Sequence, residues 1–140
     1  MIQRQQTLWL LLASAAAVLT FFFPFATGEE AVLNTDMVKT TEIIAGSNFF
    51  TLILTAVSAG LAFVIIFMFK DRKLQMRLTL LGILIAGITL ALYILNMSKL
   101  TKATPALWAV LPAIVVISFF MAFRNIRKDE KLVRSLDKLR

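Results

Sequence analysis

The chain has no cysteine and no histidine. Disulfides, thiolate and imidazole metal sites, cysteine nucleophiles and histidine general bases are therefore excluded. Cysteine usage accordingly carries no information on the redox compartment. Charge is also scarce. Only 16% of the 140 residues are Asp, Glu, Lys or Arg, against about one quarter in a soluble domain. Acids are the rarer sign, 8 against 15 bases, for a net charge of +7. Three prolines and five glycines leave few natural breaks. What remains is apolar: 59% of the chain is hydrophobic, with a mean hydropathy of +0.84.

The apolar residues are gathered into four runs, 8–26, 49–69, 78–97 and 106–123, and none holds an ionisable side chain. At about 1.5 Å per residue each reaches roughly 27–32 Å, the thickness of a bilayer's hydrocarbon core. A charge at the centre of a span costs about 2.5–3.5 kcal/mol on insertion scales, so uninterrupted runs of this length predict four transmembrane helices. The first run exceeds the 7–15 residues of a secretory signal core, and Pro24 spoils the small-residue cleavage pattern before Thr27, so it reads as a retained helix.

Loop charge sets the orientation. With four spans, Arg4, the bases of 70–77 and those of the tail 124–140 share one side. Only Lys39, Lys99 and Lys102 lie on the other. Lys and Arg accumulate on the cytoplasmic side, which places both termini in the cytoplasm. Because the positive excess lies at membrane boundaries, it gives no reason to expect nucleic-acid binding.

Local signals refine this layout. Ser47 and Asn48 stand where they would cap the second helix, and Thr104 with Pro105 marks the start of the fourth. Pro112, inside the fourth run, predicts a kink near Trp108. The outer loop 27–48 combines Glu29, Glu30, Asp36 and Glu42 with a turn at Asn34-Thr35-Asp36 and a β-branched stretch, VKTTEII. A short hairpin on the outer helix ends is expected, with an interfacial helix as the alternative. The acids lack the spacing of a calcium loop and read as a solvated surface. The small-residue pairs Ala56/Gly60 and Gly82/Ala86 suit close helix packing, within the chain or between copies. Asn96 is the most polar side chain in any run.

The tail RNIRKDEKLVRSLDKLR carries Ile126, Leu132, Val133, Leu136 and Leu139 within an arc of about 140° on a helix, most of its bases lying opposite. Glu130 and Arg134 form an i,i+4 pair. This is a basic amphipathic helix, suited to an anionic leaflet or to a partner. Arg4 near the N-terminus and Arg124, Arg127, Lys128, Lys131, Arg134 and Lys138 in the tail are the chain's candidate contacts with a partner or with lipid headgroups.

At its two ends, MIQRQQT at 1–7 and RKDEKLVRSLDKLR at 127–140, the chain resembles a family of small Bacteroidota membrane proteins of unknown function. That resemblance implies four transmembrane helices, a bacterial inner membrane and a single domain over 1–140. It brings no activity, substrate or catalytic residue.

The resulting expectation is an all-α membrane protein, a four-transmembrane-helix bundle ending in a basic amphipathic cytoplasmic helix. Catalysis is not expected: adjacent Glu29 and Glu30 point to opposite faces of a strand, and the spans hold no base or metal ligand. Ion or proton transport would call for an ionisable group in a span, and there is no internal repeat of the kind many transporters show. The favoured role is an accessory or scaffold protein working through helix faces and tail, without a cofactor, in contact with anionic headgroups and with a membrane-protein partner or a second copy. Binding or transport of a lipid or small apolar ligand is the alternative.

Overall fold

The computed structural model describes residues 2–31 and 38–140. Among these, four helices and three strands follow in the order α1 (Ile2–Leu19), β1 (Ala26–Ala31), β2 (Val38–Ile43), α2 (Phe49–Phe67), α3 (Arg72–Ser98), β3 (Thr101–Pro105) and α4 (Val110–Lys138), with 3-10 turns at Ala45–Ser47 and Leu107–Ala109. Helix α1 packs on α2 and α4, and α3 packs on the same two.

Helices α2, α3 and the stretch Leu107–Lys138 are long and apolar enough to cross a membrane. The first expected span is shorter than the run 8–26, its apolar part covering Gln5–Leu19. Three consecutive phenylalanines and Pro24, which disfavours helix in the residue before it, stop α1 at Leu19. Ala26 already opens β1, and Phe25 just before it is tied to β2, its N–H donating to the Ile43 carbonyl at 2.7 Å.

The other ends also move. Helix α3 begins at Arg72 rather than near Leu78, so the segment between the second and third helices is only 68–71. Lys and Arg are good helix formers, and nothing in RKLQMR breaks the helix. Pro112 lies at the start of α4 rather than deep inside it. It sits in the helix's first turn, where a backbone donor is not required, and a 3-10 turn at Leu107–Ala109 stands at the position of the expected kink. Pro105 closes β3 rather than opening a helix.

Ser47 and Asn48 do not cap α2 through their side chains. Asn48 holds the N-cap position without a side-chain bond. Ser47 Oγ accepts the Ile44 N–H at 2.9 Å and donates to the Glu42 carbonyl. Thr51 ties the helix start down, its hydroxyl reaching the Ala45 and Asn48 carbonyls.

The all-α expectation needs a second correction, a three-stranded antiparallel sheet in the order β2-β1-β3. The expected hairpin is present as β1 and β2, with Ala26 opposite Ile43 and Glu30 opposite Lys39. The turn expected at 34–36 lies outside the described residues. Strand β3 comes from the loop after α3 and pairs with β1, Thr27 opposite Thr104 and Glu29 opposite Thr101, with the register shifting between them. The shift leaves an extra residue on β3, and Lys102 there takes φ 56, a left-handed conformation typical of bulges.

The interior is unusual in its chemistry. Inward positions of α2 are Thr51, Thr55, Ser58, Ala62 and Ile65. Those of α3 are Gln75, Thr79, Gly82, Ala86, Thr89 and Tyr93. The alternating spacing of four and three is the 3.5-residue repeat of left-handed helix packing. Large apolar side chains such as Leu52, Phe63, Leu84, Ile88, Leu95 and Phe120 face outward. Small and hydroxylated residues inside with Leu, Ile and Phe outside is what a lipid solvent favours, because lipid supplies no hydrophobic drive to bury large side chains.

Candidate functional site

Among the described residues, polar side chains meet open space at each end of the helices. Near the sheet, Ala17, Thr20, Thr55, Ser58, Ala86, Thr89, Tyr93, Pro112 and Val115 surround a cavity of about 10 Å³, just enough for one water. Most hydroxyls there are satisfied by their own helices: Thr20 donates to the Ala17 carbonyl, Ser58 to Thr55 and Thr89 to Ile85. Thr20 and Thr55 stand near the Tyr93 phenol, yet the phenol and Thr55 Oγ1 close no hydrogen bond. The Tyr93 ring stacks on Phe25, centroids 4.9 Å apart, which fastens the sheet to α3. The cavity is a packing feature of hydroxyls, with no room for a substrate.

The opposite end is larger and charged. Helix α2 stops at Phe67, whereas α1, α3 and α4 carry charged or amide side chains past the apolar runs. Among them lies a pocket of about 270 Å³ lined by Gln6, Thr7, Ile66, Phe69, Arg72, Gln75, Ile126 and Asp129. Gln75 is buried and its Nε2 donates to the Ile65 carbonyl at 3.3 Å. Gln75, rather than half-buried Asn96, is the most polar inward side chain of α3. Arg72 Nη1 is buried without a hydrogen-bond partner. Asp129, 9% exposed, closes no ion pair with any cation among the described residues.

Asp129 is the residue that reading the tail by its charges misses. The inward stripe of α4 runs Leu111, Pro112, Val115, Ser118, Phe119, Ala122, Ile126, Asp129, so the acid takes the next inward position after Ile126. The signal was present in the tail's periodicity, because at 100° per residue Asp129 falls inside the apolar arc from Ile126 to Leu139.

The residues singled out from the sequence are distributed as follows. Arg124, Arg127, Lys128 and Lys131 lie together along one exposed face of α4 and line a shallow groove. Arg134 pairs with Glu130 at 2.8 Å, and Lys138 is exposed in the last turn. Arg4 lies in the first turns of α1, its side chain outside the described set. Gly82 and Ala86 are buried on α3, whereas Ala56 and Gly60 face outward, and nothing lies within 4 Å of a Cβ built on Gly60. In the sheet, Glu29 pairs with Lys102 at 3.6 Å and Glu30 accepts a hydrogen bond from Thr41. No group of three carboxylates or other ligands suited to a metal gathers among the described residues.

The tail is not a separate helix. Residues 124–138 continue α4 without interruption, giving a rod about 43 Å long at 1.5 Å per residue. Every residue from Lys131 to Arg140 is exposed, including Leu132, Val133, Leu136 and Leu139.

Compared with known proteins, residues 2–139 match the family described as Domain of unknown function (DUF4293), and the chain belongs to that family. No curated protein and no solved structure matches it.

Proposed function

For this member of the DUF4293 family we propose a non-catalytic role as an accessory or scaffold protein of a bacterial inner membrane. In this reading the chain is embedded as a four-helix transmembrane bundle of Bacteroidota type with both termini in the cytoplasm. Helix α1, whose apolar part is shorter than the others, crosses with the help of the apolar turn that follows it, packed against α2 and α4.

The observation that carries the reading is the unbroken α4. A helix that continues straight out of the membrane cannot also lie flat on the leaflet, so the stripe Leu132, Val133, Leu136 and Leu139 stays exposed to the cytoplasm. Flanked by bases, it suits a partner surface that is apolar at its centre and acidic at its rim. The sequence inventory adds support, since no histidine, cysteine or membrane-embedded carboxylate is available for chemistry. A second reading, lipid binding, is favoured by the pocket shared by Arg72 and Asp129.

Native mass spectrometry of the full chain, gently extracted from its own membranes, tests the proposal. A stoichiometric protein partner is expected, and it should be lost when residues 131–140 are removed. That cut spares Ile126 and Asp129, which are packed inside. A chain that always emerges without a protein partner would sink the accessory role.

A further inference from the structure

The pocket at the charged end holds two opposite charges that do not meet. Arg72 Nη1 is buried and unpartnered. Asp129 is nine-tenths buried on α4, and the two are too far apart to form an ion pair although both line the same space of about 270 Å³. Arg72 Nη1, left buried without an acceptor, costs about 1–3 kcal/mol, and the largely buried Asp129 brings a carboxylate to the same space. A ligand that brings one charge of each sign satisfies the Arg72 donor and pairs the Asp129 carboxylate at once. A simple anion drawn to Arg72 would be repelled by Asp129, and a simple cation drawn to Asp129 would be repelled by Arg72.

We propose that this pocket binds a zwitterionic headgroup of the phosphoethanolamine type, its phosphate at Arg72 and its ammonium at Asp129. The start of α3 reinforces the anionic half. Its N-cap, Asp71, makes no side-chain cap bond, so the first-turn N–H groups are not taken by that carboxylate and the positive dipole end faces the side where Arg72 stands. A guanidinium suits phosphate geometry through paired N–H donors. Ile66, Phe69 and Ile126 supply apolar wall for the glycerol and acyl end. The site also lies where the helices leave their apolar runs, which is headgroup depth for a membrane-spanning chain. The proposal is independent of docking by the tail beyond Glu130.

The test uses the full-length chain, delipidated in detergent and offered equal amounts of phosphatidylethanolamine and phosphatidylglycerol, with bound lipid read by native mass spectrometry. Retention of the amine lipid about tenfold over the anionic one is expected, equivalent to about 1.4 kcal/mol. Asp129→Asn, which keeps the side chain's shape, should abolish that preference, while Arg127→Gln on the exposed groove should leave it unchanged. Circular dichroism checks that the Asp129 variant is folded. Soluble glycerophosphoethanolamine separates the sources. If it raises the melting temperature and Asp129→Asn cancels the rise, a free zwitterion is the ligand. Lipid retention without that rise assigns the membrane lipid. A wild-type chain with neither lipid preference nor thermal shift overturns the proposal, and so does a folded Asp129→Asn variant that keeps the preference.

Discussion

The ring of Phe119 on α4 rests where a side chain of Gly82 on α3 would be: a Cβ built on the glycine stands 2.6 Å from Phe119 Cε1 and 3.1 Å from Leu61 Cδ2. Three helices therefore meet over one missing methyl group. Gly82→Ala is expected to destabilise the protein by about 1–3 kcal/mol through overpacking. At Gly60 and Gly87 nothing lies within 4 Å of the added carbon, and alanine there should be neutral or stabilising by up to about 1 kcal/mol. Unfolding of the three variants in one detergent compares them, and equal effects at all three positions would refute the notch.

A similar approach joins the sheet to the loop after α3. A Cβ on Gly28 would stand 2.7 Å from Leu100 Cδ1 and 2.8 Å from Leu100 Cβ, beside the bulge that carries Lys102. Gly28→Ala should speed amide exchange along the β1–β3 ladder while the β1–β2 ladder keeps its protection. Leu100→Ala in the same chain should restore part of that protection, since residues in contact do not act additively.

Tyr93 separates packing from hydrogen bonding. Its ring is stacked on Phe25 and almost wholly buried, but its hydroxyl closes no bond. Tyr93→Phe is expected to change stability by less than about 1 kcal/mol, and Tyr93→Ala to cost about 3–5 kcal/mol. A large loss in the phenylalanine variant would show that the hydroxyl is bonded through a water in the small cavity.

The last helix has an inner and an outer part. Ile126→Ala removes a fully buried side chain and should cost about 2–5 kcal/mol. Leu136→Ala, on the exposed rod, should stay within about 0.5 kcal/mol. If thermal melts in detergent showed comparable losses, the tail would be packed on the body rather than projecting from it.

Absence of cysteine makes orientation easy to measure. Ser135→Cys and Thr40→Cys, introduced singly, give one thiol each. In intact spheroplasts a membrane-impermeant maleimide should label position 40 and reach position 135 only after permeabilisation. The reverse pattern would place the sheet in the cytoplasm.

Much of the helical layout was legible because lipid imposes a length on apolar runs: α2 begins at Phe49, as its run does. The ends were less legible, since charge marks where a membrane would stop rather than where a helix stops, and α3 and α4 run on through Arg72, Lys73 and Arg124 to Asp137. Strand β3 left little trace. TKATP has only two β-branched residues and is held by β1, a partner about seventy residues earlier. Of the candidate site, the basic face of α4 was visible as composition. The pocket was not, because it depends on three helices outrunning the fourth. Asp129 could have been found by carrying the inward period of α4 past Ile126.

The reversed interior changes what substitution does. In a water-soluble protein the greasy centre resists change and the surface drifts. In a membrane-embedded chain the exposed Leu84, Ile88 and Leu95 would meet a solvent that is itself hydrocarbon, so they should interchange freely with Val, Phe or Met. Thr55, Ser58, Thr79 and Ala86 are buried and should be constrained by size, since larger side chains there would push helices apart. Among related chains, the positions that tolerate least variation should thus be among the smallest and most polar of the spans.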